Sequence, residues 1–403
     1  MGKSKGQDLA ARHPARDLTY ARAWRFIILV GVVSLLSDMT YEGARAITGP
    51  FLAELHASAL VVGVVAGLGE FLGYALRLGS GYLADRTGKY WPVTIWGYGL
   101  NLLSVPLLAL VGTWPPAAGL MITERLGKGL RTPARDAMLS HATTAVGRGW
   151  GFGFHNAMDQ TGAVAGPLLV AGVLAWHEGY RLGFALLLGP AILGLLVLVW
   201  ASRLYPHPHQ LEAQLPLPTS QGLSRPFWQY AVGAAVLAAG YADFPLIAYH
   251  FHQSALFAPD QIPLLYAVAM GVDALGALAL GRLFDRLGLG LLVAAPLLSA
   301  GFAPLVFLGG RGAALGGMVL WGLGMGVQGS IMRAALAGMV PPQRRASAYG
   351  LFHTVFGLSW FFGSALMGLL YGISLTALVV FSVAAQLLAL PCFLILAKVA
   401  ARD

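Results

Sequence analysis

The chain has 403 residues, of which 57% are hydrophobic and only 11% charged, with a mean hydropathy of +0.69. A soluble domain carries about 25% charged residues, so this chain lacks the polar side chains to cover its own surface in water. Its net charge of +9 does not point to nucleic acid, because the basic residues sit mostly in short gaps between apolar runs, the pattern of a positive cytoplasmic face.

The composition therefore predicts an all-α, polytopic membrane protein. Six Lys or Arg sit in the first 25 residues, and the polar start has no small-residue cleavage site after a short apolar core; residues 1–23 read as a cytoplasmic tail rather than a signal peptide. A helix needs about 20 apolar residues to cross the hydrocarbon. Twelve such segments follow, at 24–50, 58–84, 91–112, 116–139, 148–175, 180–201, 226–251, 261–284, 289–309, 312–339, 345–371 and 374–398. The Pro-rich polar stretch between the sixth and seventh reads as a cytoplasmic linker, 202–225, separating two six-helix bundles, 24–201 and 226–403. With a cytoplasmic N-terminus, nineteen of the 26 Lys and Arg fall on the cytoplasmic side, Arg131 and Arg135 among them, and only Arg181 and Arg311 fall outside. Both termini are then cytoplasmic and the protein belongs in the inner membrane. The one cysteine, Cys392, excludes an intrachain disulfide and a cysteine metal site.

Charges inside the spans mark function by default. In the first span Asp38, Glu42 and Arg45 stand at i, i+4 and i+7 and share a face. Two carboxylates beside one arginine cannot both stay comfortably ionised in a low dielectric, so Asp38 or Glu42 is a candidate proton carrier; the other reading is a static pair that neutralises Arg45. Glu70 and Arg77 share a face of the second span and are placed to pair with each other. In the fourth, Arg125, Lys128, Arg131 and Arg135 form one stripe at helical spacing, which Pro133 is placed to bend. Gly127-Lys128 is not a phosphate loop, since Ile122 and Gly129 stand where that motif needs Gly and Ser or Thr. Arg131 and Arg135 read as surface anchors, whereas Arg125 lies deeper and must face a cavity or a carboxylate.

His155 and Asp159 lie at i, i+4 in the fifth span; burial disfavours the charged Asp, and His titrates near neutral pH already. They serve either coupling or substrate binding, or else a buried hydrogen bond. In the seventh span Asp243 and His250 share a face, and Pro245 removes a backbone donor and opens the helix locally, as in transporters that bind substrate at broken helices. Asp273, Arg333 and His353 are further polar positions in the second half. Tyr41, Trp96, Phe154, Trp321 and Trp360 either line a pocket for an amphiphile or pack against lipid and neighbouring helices.

Internal repetition supports a duplicated transporter. Gly81–Lys89 (GYLADRTGK) follows the second span and Gly281–Leu289 (GRLFDRLGL) the eighth, both reading Gly-x-Leu-x-Asp-Arg-x-Gly. The Gly81–Lys89 stretch, the Arg125-x-x-x-Gly129 motif and the glycines of Arg148–Pro167 resemble the major facilitator superfamily, in particular a branch of proton-dependent exporters labelled as drug-efflux permeases. The resemblance implies twelve helices in two pseudo-symmetric bundles that work by alternating access. It assigns Gly81, Asp85, Arg86, Gly88, Asp285 and Arg286 to gating, the loop Asp holding the cytoplasmic side shut against a helix N-terminus of the opposite half. It assigns Gly153, Gly162, Gly166 and Pro167 to the helix-five motif of exporters, although Ala171-Gly172 departs from the family spacing, and Arg125 to tuning a proton site.

The expectation is a proton-coupled exporter of a small organic or amphiphilic compound, acting as a monomer in the lipid bilayer. Its energy source is the proton gradient, with no cofactor, no metal and no nucleic acid. An importer, a uniporter or a lipid flippase would share the fold. A membrane enzyme is disfavoured by the lack of a GxSxG or HExxH motif, and a non-transporting sensor by the lack of a soluble signalling domain.

Overall fold

A computed structural model describes residues 14–146, 148–176, 179–206, 225–328, 332–339 and 345–400. These are helices joined by short turns. Spans 1 to 3 are Pro14–Glu54, Ala59–Thr87 and Tyr90–Leu107, the third extended by one 3-10 turn, Leu108–Leu110. Spans 4 and 5 are Trp114–Val146 and Arg148–Trp176, and span 6 runs through Tyr180–Leu186 and Leu188–Leu204. Span 7 is Arg225–Ala239 and Phe244–Gln253, span 8 is Gln261–Leu287, and span 9 comprises Gly288–Val293, Ala294–Ala300 and Phe302–Phe307. Span 10 is Arg311–Gly326 followed by Met332–Met339, span 11 is Arg345–Ile373, and span 12 is Leu375–Leu388 with Leu390–Ala400.

Ten of these are long and apolar enough to cross a membrane on length and composition alone. The two that fall short are instructive. Span 4 is long enough but carries the basic stripe, and the first helix of span 10 is only 16 residues. Polarity also corrects two boundaries. Span 1 begins at Pro14, not 24, and span 4 runs to Val146, not 139, because a polar helix continues through the interface at no desolvation cost. Residues 1–13 of the expected tail and 207–224 of the expected linker lie outside the described residues.

The spans alternate in direction, which leaves Pro14 and Ala400 on one side. We call that side the terminal face and the opposite one the far face. Local chemistry sets the turns. Ser58 accepts from Val61 N at 3.3 Å to start span 2, and Gly88 at φ 64° ends it. Ser374 caps span 12 the same way, 3.3 Å from Ala377 N.

Span 7 is broken at Gly240–Asp243, and side chains of other spans take up freed backbone carbonyls there, as a membrane interior demands. Gly240 O accepts from Ser382 Oγ at 2.6 Å and from Gln386 Nε2 at 3.3 Å. Ala242 O accepts from Trp321 Nε1 at 2.9 Å, and the Tyr241 hydroxyl donates to Trp321 O. Asp243 then caps the second helix, accepting from Phe244 N at 2.9 Å, with Pro245 in its first turn where the missing N–H costs nothing.

The two halves meet along spans 1 and 7, 2 and 11, and 5 and 8. At the far face the meeting is close. A side chain on Gly49 would overlap the Pro245 backbone, so only glycine lets spans 1 and 7 approach so tightly. Tyr249 donates to Ala57 O at 3.3 Å, and Tyr180 Oη lies 3.2 Å from His252 Nδ1. Gly63 and Gly368 bring spans 2 and 11 together at the same level. The far face is sealed.

Candidate functional site

Behind that seal lies a buried network of charge. Span 1 supplies Asp38, Glu42 and Arg45, each 7–8% exposed. Their shared face brings them into no ion pair with one another among the described residues, though Arg45 and Glu42 act on each other electrostatically. Arg45 Nη2 reaches Asp243 Oδ1 at 2.5 Å and Glu70 Oε1 at 3.3 Å. The first contact ties span 1 to span 7, and so one half to the other. Glu42 accepts from Tyr266 of span 8 at 2.5 Å, a second tie between halves, with Lys128 Nζ at 3.9 Å. Asp38 has Arg131 Nη2 at 4.0 Å.

The stripe on span 4 faces this network along its whole length. Arg125 meets Glu70 at 3.3 Å and Glu124 at 3.2 Å. Lys128 lies 3.9 Å from the centre of the Tyr41 ring. Arg131 and Arg135 are not surface anchors. Arg131 is 1% exposed and stacks 4.2 Å over Tyr98. Arg135 binds Asp136 at 2.8 Å and donates to Ser34 Oγ at 3.2 Å. The reason for the correction is span length: with the helix extending to Val146, both residues lie well inside it. Glu70 does not pair with Arg77, which sits over the Tyr74 ring at 4.7 Å instead.

On span 5, His155 Nε2 lies 3.4 Å from Ser34 Oγ and 3.7 Å from Asp159 Oδ2. Gly162 and Gly166 pack directly against the span 1 backbone, at Leu35 and Met39, whereas a side chain at Gly153 would enter open space. Pro167 is accommodated inside the helix. Gly162 places Asp38 against span 5 one turn from Asp159, and the two carboxylates act on each other electrostatically. Across the midplane Gln160 Nε2 lies 3.5 Å from Asp273 Oδ2, and the Tyr74 and His353 rings stack at 5.2 Å.

Asp243 and His250 share span 7 but not a site. Asp243 joins the network, whereas His250 Nδ1 sits 3.1 Å from Tyr371 Oη toward the far face, with its ring against Phe307. Among the aromatics, Trp96 is 72% exposed and faces outward rather than into a pocket. Phe154 packs on Trp24, and Trp321 and Trp360 join Tyr241 in the second half.

Of the gating positions, Gly81 lies beside Pro133, Gly88 ends span 2, and Arg86 is exposed with Tyr82 Oη at 3.4 Å. Arg286 closes span 8. The side chains of Asp85, Asp285 and Arg333 lie outside the described residues. Sequence reasoning passed over Glu124, Asn101 and Tyr266. Glu124 carried a signal, an acid beside Arg125 within an apolar run. Asn101, which donates to Glu124 Oε1 at 2.6 Å, and Tyr266 carried none.

Twelve helices with a charged network between two halves are a transporter's architecture, and the model of the Major Facilitator Superfamily matches residues 30–364 and again 243–402. The chain belongs to the Major Facilitator Superfamily. It is 43% identical to the uncharacterized protein Rv2265 of Mycobacterium tuberculosis over 91% of this chain and 92% of that one. It is 26% identical to the uncharacterized MFS-type transporter MJ1317 of Methanocaldococcus jannaschii, over 86% and 89%. Among solved structures of the superfamily's fold, a bacterial homologue of the human lysosomal transporter Spinster, inward-facing and unoccupied, superposes with a TM-score of 0.72 at 16% identity, covering 96% of this chain and 98% of that one. As a facilitator the protein is a multi-pass membrane transporter, and its network lies where the superfamily's two halves meet.

Proposed function

We propose that the protein is a proton-coupled exporter, exchanging protons for a small organic or amphiphilic compound by alternating access as a monomer in the inner membrane. Its terminal face lies in the cytoplasm, and the proton gradient is its energy source. The observation that carries this reading is the composition of the network. Five buried carboxylates (Asp38, Glu42, Glu70, Glu124 and Asp243) and five cations (Arg45, Arg125, Lys128, Arg131 and Arg135) stand in ion pairs of 4.0 Å or less, Arg135 through the 44% exposed Asp136, and Asp159 beside His155 makes a further carboxylate with no Lys or Arg within that distance. An excess of buried negative charge is costly, and protons are the means of relieving it.

The proton carriers in this reading are Asp38 and Asp159, whose nearest cationic partners are Arg131 at 4.0 Å and His155 at 3.7 Å; Glu42, with Lys128 at 3.9 Å, is held instead by the Tyr266 hydroxyl at 2.5 Å. Asp243, Glu70 and Glu124 are clamped by arginines at 3.3 Å or closer. Arginine does not give up its proton, so these pairs act as ties. Export is supported by Gly162 and Gly166, which bring the carriers' two helices into direct contact as the exporter motif implies.

The test uses inside-out vesicles with an imposed pH gradient, a pH-sensitive dye and a panel of amphiphiles. A substrate releases protons through the wild-type protein. Asp159→Asn abolishes that release yet keeps exchange of labelled substrate across the membrane. Labelled compounds crossing the wild-type membrane with no proton movement would refute the coupling.

A further inference from the structure

Three carboxylates of the network lack a close arginine: Asp38, Asp159 and Glu42. Among the described residues Glu42 alone of the three accepts a hydrogen bond from the opposite half. The Tyr266 hydroxyl donates to its Oε2 at 2.5 Å, joining span 8 to span 1. An O–H···O⁻ bond of this length is charge-assisted and favours the ionised carboxylate.

The charged groups that act on Glu42 are Lys128, Arg125 and Glu124 of span 4, and Arg45 and Asp38 of span 1. All belong to the first half and travel with it. Asp243 of span 7 is taken up by Arg45. The Tyr266 hydroxyl is therefore the contact that changes when the halves move. Tyr266 lies five residues from Gln261, where span 8 starts at the far face, about 7.5 Å at 1.5 Å per residue. Its ring is buried against Phe244, the residue after Asp243 in span 7, with 4.3 Å between centroids. Tyr266 thus moves with the second half, and the far face opens only when spans 1 and 7 part. A shift of about 1 Å is enough to break the bond.

We propose that Glu42 is a proton site gated by Tyr266: it is ionised while the hydroxyl of the opposite half is on it, and takes a proton when the far face opens and withdraws that hydroxyl. On resealing, the hydroxyl returns with its own proton and Glu42 gives up the one it took, towards Asp38, one turn nearer the terminal face. One proton enters on the far side and one leaves on the terminal side. The inference rests on the reading of the protein as a proton-coupled exporter and names the residue that ties proton exchange to the position of the gate.

The experiment follows the infrared band of protonated carboxyl groups during a pH titration of the purified full-length protein in nanodiscs. The contribution of Glu42 is the difference from Glu42→Gln. Tyr266→Phe raises the midpoint of that contribution by about one pH unit or more, since a hydrogen bond to a charged group is worth about tenfold or more in proton affinity. Gly49→Val opens the far face with Tyr266 in place. It raises the midpoint in the same direction, and adding Tyr266→Phe to it raises the midpoint no further. Should Gly49→Val fail to fold, Gly49→Ala takes its place, because a single carbon there already meets the Pro245 backbone. A midpoint that Tyr266→Phe leaves unmoved overturns the proposal, even where the melting temperature falls, since that is a structural role alone. A midpoint raised by Tyr266→Phe and unmoved in the Gly49 variant overturns the gate. Neither gradient nor substrate is present, so absence of proton release in vesicles and failure of this proposal are separate results.

Discussion

Asp243→Asn tests the tie between the halves. The substitution removes the charge that holds Arg45 across the interface at 2.5 Å, but the amide oxygen still accepts from Phe244 N and the helix cap survives. Leaving one member of a buried pair alone costs about 3–5 kcal/mol. Arg45 keeps Glu70 at 3.3 Å, so the charge is not abandoned, and about 2 kcal/mol is the expected loss in the sealed state. That is about a 30-fold change in the balance between sealed and far-open forms, enough to raise a far-open population of 1% to roughly a quarter. Glu54 and Ser254 are exposed on the two sides of the seal and take spin labels once the free thiol of Cys392 has been replaced. Pulsed dipolar spectroscopy should then resolve a second, longer distance in Asp243→Asn that is near its detection limit in the parent. An unchanged distance distribution would refute the assignment of this ion pair as a gate tie.

Three further outcomes follow from the same geometry. Gly49→Val puts a side chain into the Pro245 backbone; overpacking of this kind costs about 1–3 kcal/mol, so the same label pair should report far-face opening and transport should fall at least tenfold. Tyr180→Phe removes only the contact to His252 at the seal's rim; at about 1 kcal/mol it should shift the gate roughly fivefold and leave substrate affinity unchanged. Asn101→Ala strips Glu124 of its 2.6 Å donor; a buried acceptor left unmet costs about 1–3 kcal/mol, to be read as a lower denaturation midpoint in detergent, with weaker substrate binding because Glu124 orients Arg125.

The fold was legible because the bilayer makes it so. Each apolar run needs a helix to satisfy its backbone, and Gly-x-Leu-x-Asp-Arg-x-Gly at the same place in each half exposed the duplication. The break in span 7 was legible at Pro245, though its position was set by partners far away in sequence. Ser382, Gln386 and Trp321 take up the backbone groups of Gly240 and Ala242, and no local pattern announces them.

The site was legible as an inventory and not as a set of pairs. Helical spacing placed Asp38, Glu42 and Arg45 on one face, and that is where the structure has them. Which charge meets which is decided between helices: Arg45 turns to Asp243, 198 residues away, and Glu42 to Tyr266, 224 away. The same limit explains Arg131 and Arg135. A basic residue near the end of an apolar run looks like an anchor when the run is taken to end at 139. Placing it inside the membrane costs about 2.5–3.5 kcal/mol on insertion scales, and a sequence gives no sign of what offsets that. Here the Tyr98 ring and Asp38 lie against Arg131, and Ser34 and Asp136 against Arg135. Each partner removes part of the cost and none removes the charge. Of the five cations held this way, Arg45 is the one ion-paired across the halves among the described residues, through Asp243 at 2.5 Å; the other four meet carboxylates of the first half.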